Sequence, residues 1–139
     1  EIAKDQIIFI SPFLSDKALL ADDIPQKIKL KNESGVITRV FTDAFLDQRN
    51  GKLKPASEKA RELLNQAGAE VVQKCGIHNK ALIVDDKVLV EGSFNWLSAV
   101  RDKNSPYYRH EVSWVSHDDA TPTHITQLIE EMDCIDTYN

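Results

Sequence analysis

A chain of 139 residues with a formal charge of −5, 42% hydrophobic and 28% charged, has the size and makeup of one globular domain. This composition excludes a disordered tail, a collagen and a disulfide-dense scaffold, and no apolar run approaches the roughly 18 residues that span a bilayer. Charge is uneven: residues 27–61 hold nine Lys/Arg against four acids, whereas residues 111–139 hold seven acids and no Lys or Arg. Such asymmetry fits either a basic approach for a polyanion with an acidic back, or solvated faces that merely differ. Residues 1–139 read as one domain, expected to be cut from a longer protein because the chain does not begin with Met. Its first six residues lack the basic and apolar regions of a signal peptide. Cys75 and Cys134 have no framework spacing, as in a cytoplasmic protein with free thiols. Cys75-Gly76-Ile77-His78 is half of a zinc spacing, and no second close pair completes it.

In chain order, Gln6 to Phe13 is an apolar run stopped by Ser11-Pro12 and reads as a buried strand. Asp16 to about Leu20 reads as a short helical turn broken by Ile24-Pro25. Val36–Thr42 is β-branched and aromatic, a second strand. Residues 47–57, with Asn50-Gly51 and Pro55, read as a loop. A helix starts at Ser57, shows Ala60, Leu63, Leu64 and Ala67 on one face and stops at Gly68. Ala69–Gln73 is a third strand, and Ile77–Val84 and Lys87–Glu91 are two more about a turn at Asp85-Asp86. A helical turn over 95–101, a loop over 102–109, a strand over Glu111–Val115 and a helix from His124 to about Met132 complete the chain. The pattern predicts an α/β fold in which helices cover a mixed sheet.

The stretch with chemical content runs from His78 to Asn95. On a strand, His78 and Lys80 leave the same face, while Ala81 and Ile83 point into apolar surroundings. A two-residue turn at Asp85-Asp86 pairs Val84 with Lys87 and so sets His78 opposite Ser93 and Lys80 opposite Glu91; one extra turn residue would spoil this register. Gly92 permits close backbone approach to a ligand, and Asn95 stands where a helical turn exposes N–H groups. An imidazole, an ammonium, a hydroxyl and an amide so gathered suit a phosphate. Taken singly, each residue has a plainer explanation: a strand His is usually packing, Gly-Ser is a turn, Asp-Asp is a hairpin. Together, at roughly one in twenty per position, a chance match is rarer than about one in a hundred thousand.

His78, Lys80, Asp85, Gly92 and Ser93 resemble the HKD signature of the phospholipase D superfamily at every spacing, and the frequent downstream Asn falls at Asn95. The preceding strands and the helix ending at Gly68 resemble the usual approach to that motif, so the likeness covers nearly the whole chain. Within the superfamily, GSFNW and RHEVSWV look most like bacterial nuclease-type members, some of them small homodimers and some C-terminal domains of helicase-like proteins.

The resemblance implies a phospholipase D-like α/β/α sandwich and a reaction without metal or other cofactor. It implies His78 as the nucleophile that forms a covalent phosphohistidine, with Lys80 on the non-bridging phosphate oxygens. Ser93 and Asn95 become donors to those oxygens or supports of the histidine. Asp85 and Gly92 become structural, and Glu111 the acid that orients His78. The basic residues Lys27, Lys29, Lys31, Lys52 and Lys54 are assigned to the substrate approach. The mechanism needs two motif histidines and this chain carries one motif, so a homodimer, or a second motif elsewhere in a longer chain, must complete the site.

Three functions compete. The first is a metal-independent phosphodiesterase acting on nucleic acid, DNA before RNA. The second is a lipid-headgroup phosphodiesterase, although lipid enzymes of this kind usually carry two motifs and membrane-facing loops. The third is a non-catalytic docking module, against which the intact His/Lys/Ser/Asn set speaks. The first is preferred, with no membrane partner.

Overall fold

The strands in the middle of the sequence are short and almost wholly apolar because they are covered on both faces. The computed structural model describes residues 2–137. Six strands form one mixed sheet in the order β5-β2-β1-β6-β7-β8. They are β1 (Gln6–Ile10), β2 (Ile37–Thr42), β5 (Glu70–Gln73), β6 (Ala81–Val84), β7 (Val88–Gly92) and β8 (Ser113–Ser116). β5, β2 and β1 are parallel, and β6, β7 and β8 each run antiparallel to the strand before them in the sheet.

Ile8, Ile10, Ala81, Ile83 and Leu89 fill one face and pack with Ile125, Leu128 and Met132 of α4 (Thr121–Cys134). Phe9, Val40 and neighbours fill the other face. They pack against Leu19 of α1 (Asp16–Ala21), Ile28 of α2 (Ile24–Glu33) and Ala60 and Leu64 of α3 (Pro55–Gln66). The expected α/β/α layering is present.

Several bounds differ from the sequence reading, β6 starting at Ala81 and not Ile77, β8 at Ser113 and not Glu111, and α4 at Thr121 and not His124, and two stretches differ in kind. Ile24-Pro25 opens α2 instead of breaking a helix, since proline in a first turn removes an N–H that has no intrahelical partner anyway. Within the stretch read as a loop, Asn50 and Gly51, with φ of 54° and 73°, close a small hairpin of β3 (Gln48–Arg49) and β4 (Lys52–Leu53).

The topology sorts the chain between the two ends of the sheet. At one end lie the carboxyl ends of β1, β2, β5 and β7 and the starts of β6 and β8. At the other lies the β6–β7 turn, together with the start of β1. There Asp85 is buried, with φ of 55°, and its carboxylate accepts hydrogen bonds from the backbone N–H groups of Lys4, Asp5 and Gln6 at 2.8–3.2 Å. Burial opposes its ionisation. The three amides, helped by Lys87, outweigh that and hold the carboxyl below the usual carboxylate range.

Asp85→Asn should therefore destabilise the fold by about 2–3 kcal/mol, the scale of charge-assisted hydrogen bonds, without changing turnover per folded molecule. Since the folded pKa is depressed, this contribution is present above the unfolded value near 3.9. It is lost as pH falls through the folded one, so the wild-type and variant stabilities converge in acid. Denaturant melts at pH 7 and pH 3 check this; an equal gap at both would rule out the clamp.

Candidate active site

Residues 77–80 precede β6, which begins at Ala81. The two-residue spacing still brings the motif pair together: Lys80 Nζ lies 3.4 Å from Nδ1 of the exposed His78 and donates to the His78 carbonyl at 2.6 Å. At 3.4 Å the contact to the ring is a charge beside an imidazole rather than a strong hydrogen bond. Among the described residues no hydrogen bond reaches Nε2. The Phe13 ring, from the segment after β1, stands edge-on to the imidazole with centroids 6.5 Å apart. Burial pushes the Lys80 ammonium down from the usual lysine range, and the Glu111 carboxylate pulls it back up.

The register of the β6–β7 hairpin is one residue away from the sequence expectation. Val84 pairs with Val88 and Ala81 with Glu91, so the turn holds Asp85, Asp86 and Lys87. Lys80 consequently lies opposite Gly92, to whose N–H its carbonyl accepts at 3.3 Å, and the expected Lys80–Glu91 pair does not form.

Gly92 serves a neighbouring strand, not a ligand: a Cβ there would lie 2.2 Å from the Val112 carbonyl oxygen and 2.6 Å from Ser113 Cα. Ser93 follows the same logic. Its N–H donates to Val112 O at 2.9 Å and its hydroxyl accepts from Val112 N at 3.1 Å, which fixes the residue next to Glu111. Asn95 opens a single turn, its carbonyl accepting from Ser98 and Ala99, and its side-chain Oδ1 is buried without a partner. Glu111 thus comes to the site through Lys80. It makes no hydrogen bond with the His78 ring among the described residues.

Arg101 organises this turn and carried no signal in the sequence. It donates to Asp22 Oδ2 at 2.8 and 3.1 Å, to Trp96 O at 2.5 Å and to Ala99 O, and lies 4.9 Å above the Phe94 ring.

The five basic residues assigned to substrate divide between the ends of the sheet. Lys52 and Lys54 stand on and beside the hairpin that follows β2, at the same end as His78. Lys27 and Lys29 lie along α2, which runs away from that end, and Lys31 Nζ donates to Ala3 O at 3.0 Å, by the start of β1. A strand of five residues spans about 16 Å, so Lys31 and His78 are not brought together.

Among the described residues no three His, Cys, Asp or Glu side chains gather so as to hold a metal ion. Cys75 and Cys134 are both free thiols. No described helix is long and apolar enough to cross a membrane.

An imidazole and an ammonium lie side by side at the open end of a mixed α/β sheet, where such sheets bind ligands, and both groups suit a phosphate. The chain belongs to the phospholipase D-like family: the family profile described as "Cardiolipin synthase, PLD-like domain" matches residues 1–133. It is similar in fold to Nuc, a phospholipase D family member from Salmonella typhimurium, with a TM-score of 0.67 and 19% identity over 99% of this chain and 84% of that one. It is also similar to NucT from Helicobacter pylori, with a TM-score of 0.66 and 18% identity over 98% of this chain and 84% of that one. At these identities the likeness establishes the fold. No protein of curated function matches.

Proposed function

We propose that this protein is a phosphodiesterase that cleaves nucleic-acid backbones, DNA in preference to RNA, through a phosphohistidine on His78. The observation that carries the reading is the exposed imidazole with Lys80 on its Nδ1 side and Nε2 open to solvent. Nε2 attacks phosphorus, the bond from phosphorus to the leaving oxygen breaks, and a second imidazole protonates that oxygen. The second imidazole then takes a proton from water, the hydroxide attacks phosphorus, and the P–N bond breaks to release His78 and the phosphate monoester. Lys80 offsets the charge that builds on the non-bridging oxygens. Lys52 and Lys54 lead the polyanion in.

The second imidazole is His78 of another copy of this chain. A two-fold axis beside His78 supplies nucleophile and acid from one sequence. Exposed apolar residues beside the motif strand support such a contact: Val112, bonded to Ser93, at 53% and Trp114, paired with Glu91, at 76%. Trp96 packs against the core cluster under α1 and α3.

The family description favours a second reading, an enzyme acting on the phosphodiester of a glycerophospholipid. Both readings are decided by assaying the purified protein in excess EDTA on single- and double-stranded DNA, on RNA and on phosphatidylglycerol vesicles. Cleavage of DNA that persists in EDTA is the expected result. Activity confined to the vesicles would replace the nuclease reading, and DNA cleavage that vanishes in EDTA and returns with Mg²⁺ would overturn the histidine mechanism.

A further inference from the structure

Arg61 is a costly side chain to keep in this fold. It lies on α3, and all three of its guanidinium nitrogens are buried with no hydrogen-bond partner among the described residues. A buried charge without direct partners destabilises a protein by several kcal/mol, so it calls for a physical explanation. Its surroundings supply one. Ser57, one turn earlier on α3, donates its hydroxyl to Asp47 Oδ2 at 2.8 Å, so Arg61 shares the helix face that meets that carboxylate. The charges that act on Arg61 are those of Asp47 and Asp43, both almost wholly buried.

Each of these carboxylates holds a backbone amide beside His78, and Asp43 Oδ1 also accepts from Phe45 N at 3.0 Å. Asp47 Oδ2 accepts from Leu14 N at 2.8 Å, and Leu14 follows Phe13, whose ring stands against His78. Asp43 Oδ2 accepts from Gly76 N at 2.7 Å, and Gly76 lies two residues before His78. The two connections that flank the imidazole, β1–α1 and β5–β6, are thus pinned by two buried carboxylates, and one buried cation, on the Ser57 face of α3, carries the charge opposite to both.

We propose that Arg61 is a positioning residue of the active site: as the shared counter-charge of Asp43 and Asp47, it holds the two loops that set the place of His78. The inference rests on the reading of His78 as the reacting group. The electrostatics agree with it. Burial pushes the Asp47 carboxyl up, against the Leu14 amide, the Ser57 hydroxyl and the charges of Arg61 and Lys54. Burial likewise pushes Arg61 down against the pull of the two aspartates. Without the guanidinium, the Asp47 carboxylate loses one of the charges that oppose its desolvation, and a proton taken up there weakens its grip on the Leu14 amide. A reacting group displaced by about 1 Å loses on the order of a hundredfold in rate.

The test uses Arg61→Met and Arg61→Lys, read by steady-state kinetics on DNA and by amide hydrogen exchange. Arg61→Met should lower kcat at least tenfold with KM within about twofold, because the loops place the nucleophile and not the polyanion approach. Exchange at Gly76 and Leu14 should accelerate together, and Arg61→Lys should recover most of both effects. If Arg61→Met does not fold, Asp43→Asn and Asp47→Asn carry the test. Each drops the charge and keeps one acceptor oxygen; Asp47→Asn should loosen Leu14 and leave Gly76, and Asp43→Asn, which loses one of two accepting oxygens, should loosen Gly76 or Phe45 and leave Leu14. Unchanged exchange at both amides in Arg61→Met, or in both asparagine variants, overturns the proposal. So does a kcat loss that Arg61→Lys leaves uncorrected. Should the wild-type protein turn over no phosphodiester, the functional reading fails on that result, while the exchange at Gly76 and Leu14 still decides whether Arg61 holds the loops.

Discussion

His78→Ala is expected to lower kcat by at least about a thousandfold, to the limit of detection, while stability stays within about 1 kcal/mol of wild type. The kinetic part follows from covalent catalysis: among the described residues, His78 is the histidine whose ring has a lysine ammonium within 3.4 Å, whereas His110, at the same end of the sheet, has no hydrogen bond to a lysine. His110, His117 and His124 lie beyond the loop, after β8 and on α4. The stability part follows from exposure, since the imidazole is open to solvent and its ring contact is one aromatic edge at 6.5 Å. Mixing the variant with wild-type protein extends the test. If two copies share a site, exchange of chains should lower activity per wild-type chain as the variant is added. Wild-type activity that stays constant through such a titration would show that each chain works alone, and near-normal turnover by His78→Ala would remove the nucleophile assignment.

Lys80→Ala should cost about 3–4 kcal/mol of transition-state stabilisation, a fall in kcat/KM of several hundredfold, on the scale of losing one preorganised donor. The pH dependence gives the finer test. Burial lowers the Lys80 pKa and Glu111 raises it, with burial winning. The useful charge is present below the folded pKa and lost above it, so kcat/KM should fall on the alkaline side earlier than an ordinary lysine would allow. Removing the Glu111 charge takes away the opposing pull, so Glu111→Gln should move that alkaline limb to still lower pH. Lys80→Arg, which keeps its charge throughout, should abolish the limb. A limb that stays in place in Glu111→Gln would detach Glu111 from Lys80.

The strands were legible because each is an apolar run closed by a turn signal, and the alternation of Ala81 and Ile83 with Leu82 and Val84 correctly divides them between the two faces. The first ten-residue helix was not, because Lys27-Ile28-Lys29-Leu30-Lys31 alternates with the period of a strand and α2 is buried only at Ile28. The motif residues were legible as a set and their partners were not. The turn takes in Lys87 as a third residue, and the Asp85 carboxylate within it serves amides 79–81 residues away, which no local pattern encodes. For the same reason the register missed by one and Glu111, not Glu91, is the acid beside Lys80. Gly92 carries the mark of a close approach without saying to what. Net charge along the sequence likewise has no direction in space: it grouped Lys31, at the far end of the sheet, with Lys52 and Lys54 at the near end, and it counted the buried Arg61 among surface cations.

The central position of β1 has a consequence for how the chain acquires its structure during synthesis. One neighbour, β2, follows after the two helices α1 and α2, but the other, β6, pairs Ile7 with Val84. Until the β6–β7 hairpin has left the ribosome, one edge of β1 is a row of open N–H and C=O groups beside exposed Ile7 and Phe9, a template for pairing with any other nascent strand. The early amides of Lys4, Asp5 and Gln6 wait equally long for the carboxylate that will bind them. Closure of the sheet is therefore a late and long-range event, and a chain stalled before Val84 is the species of this protein that a chaperone would be expected to hold.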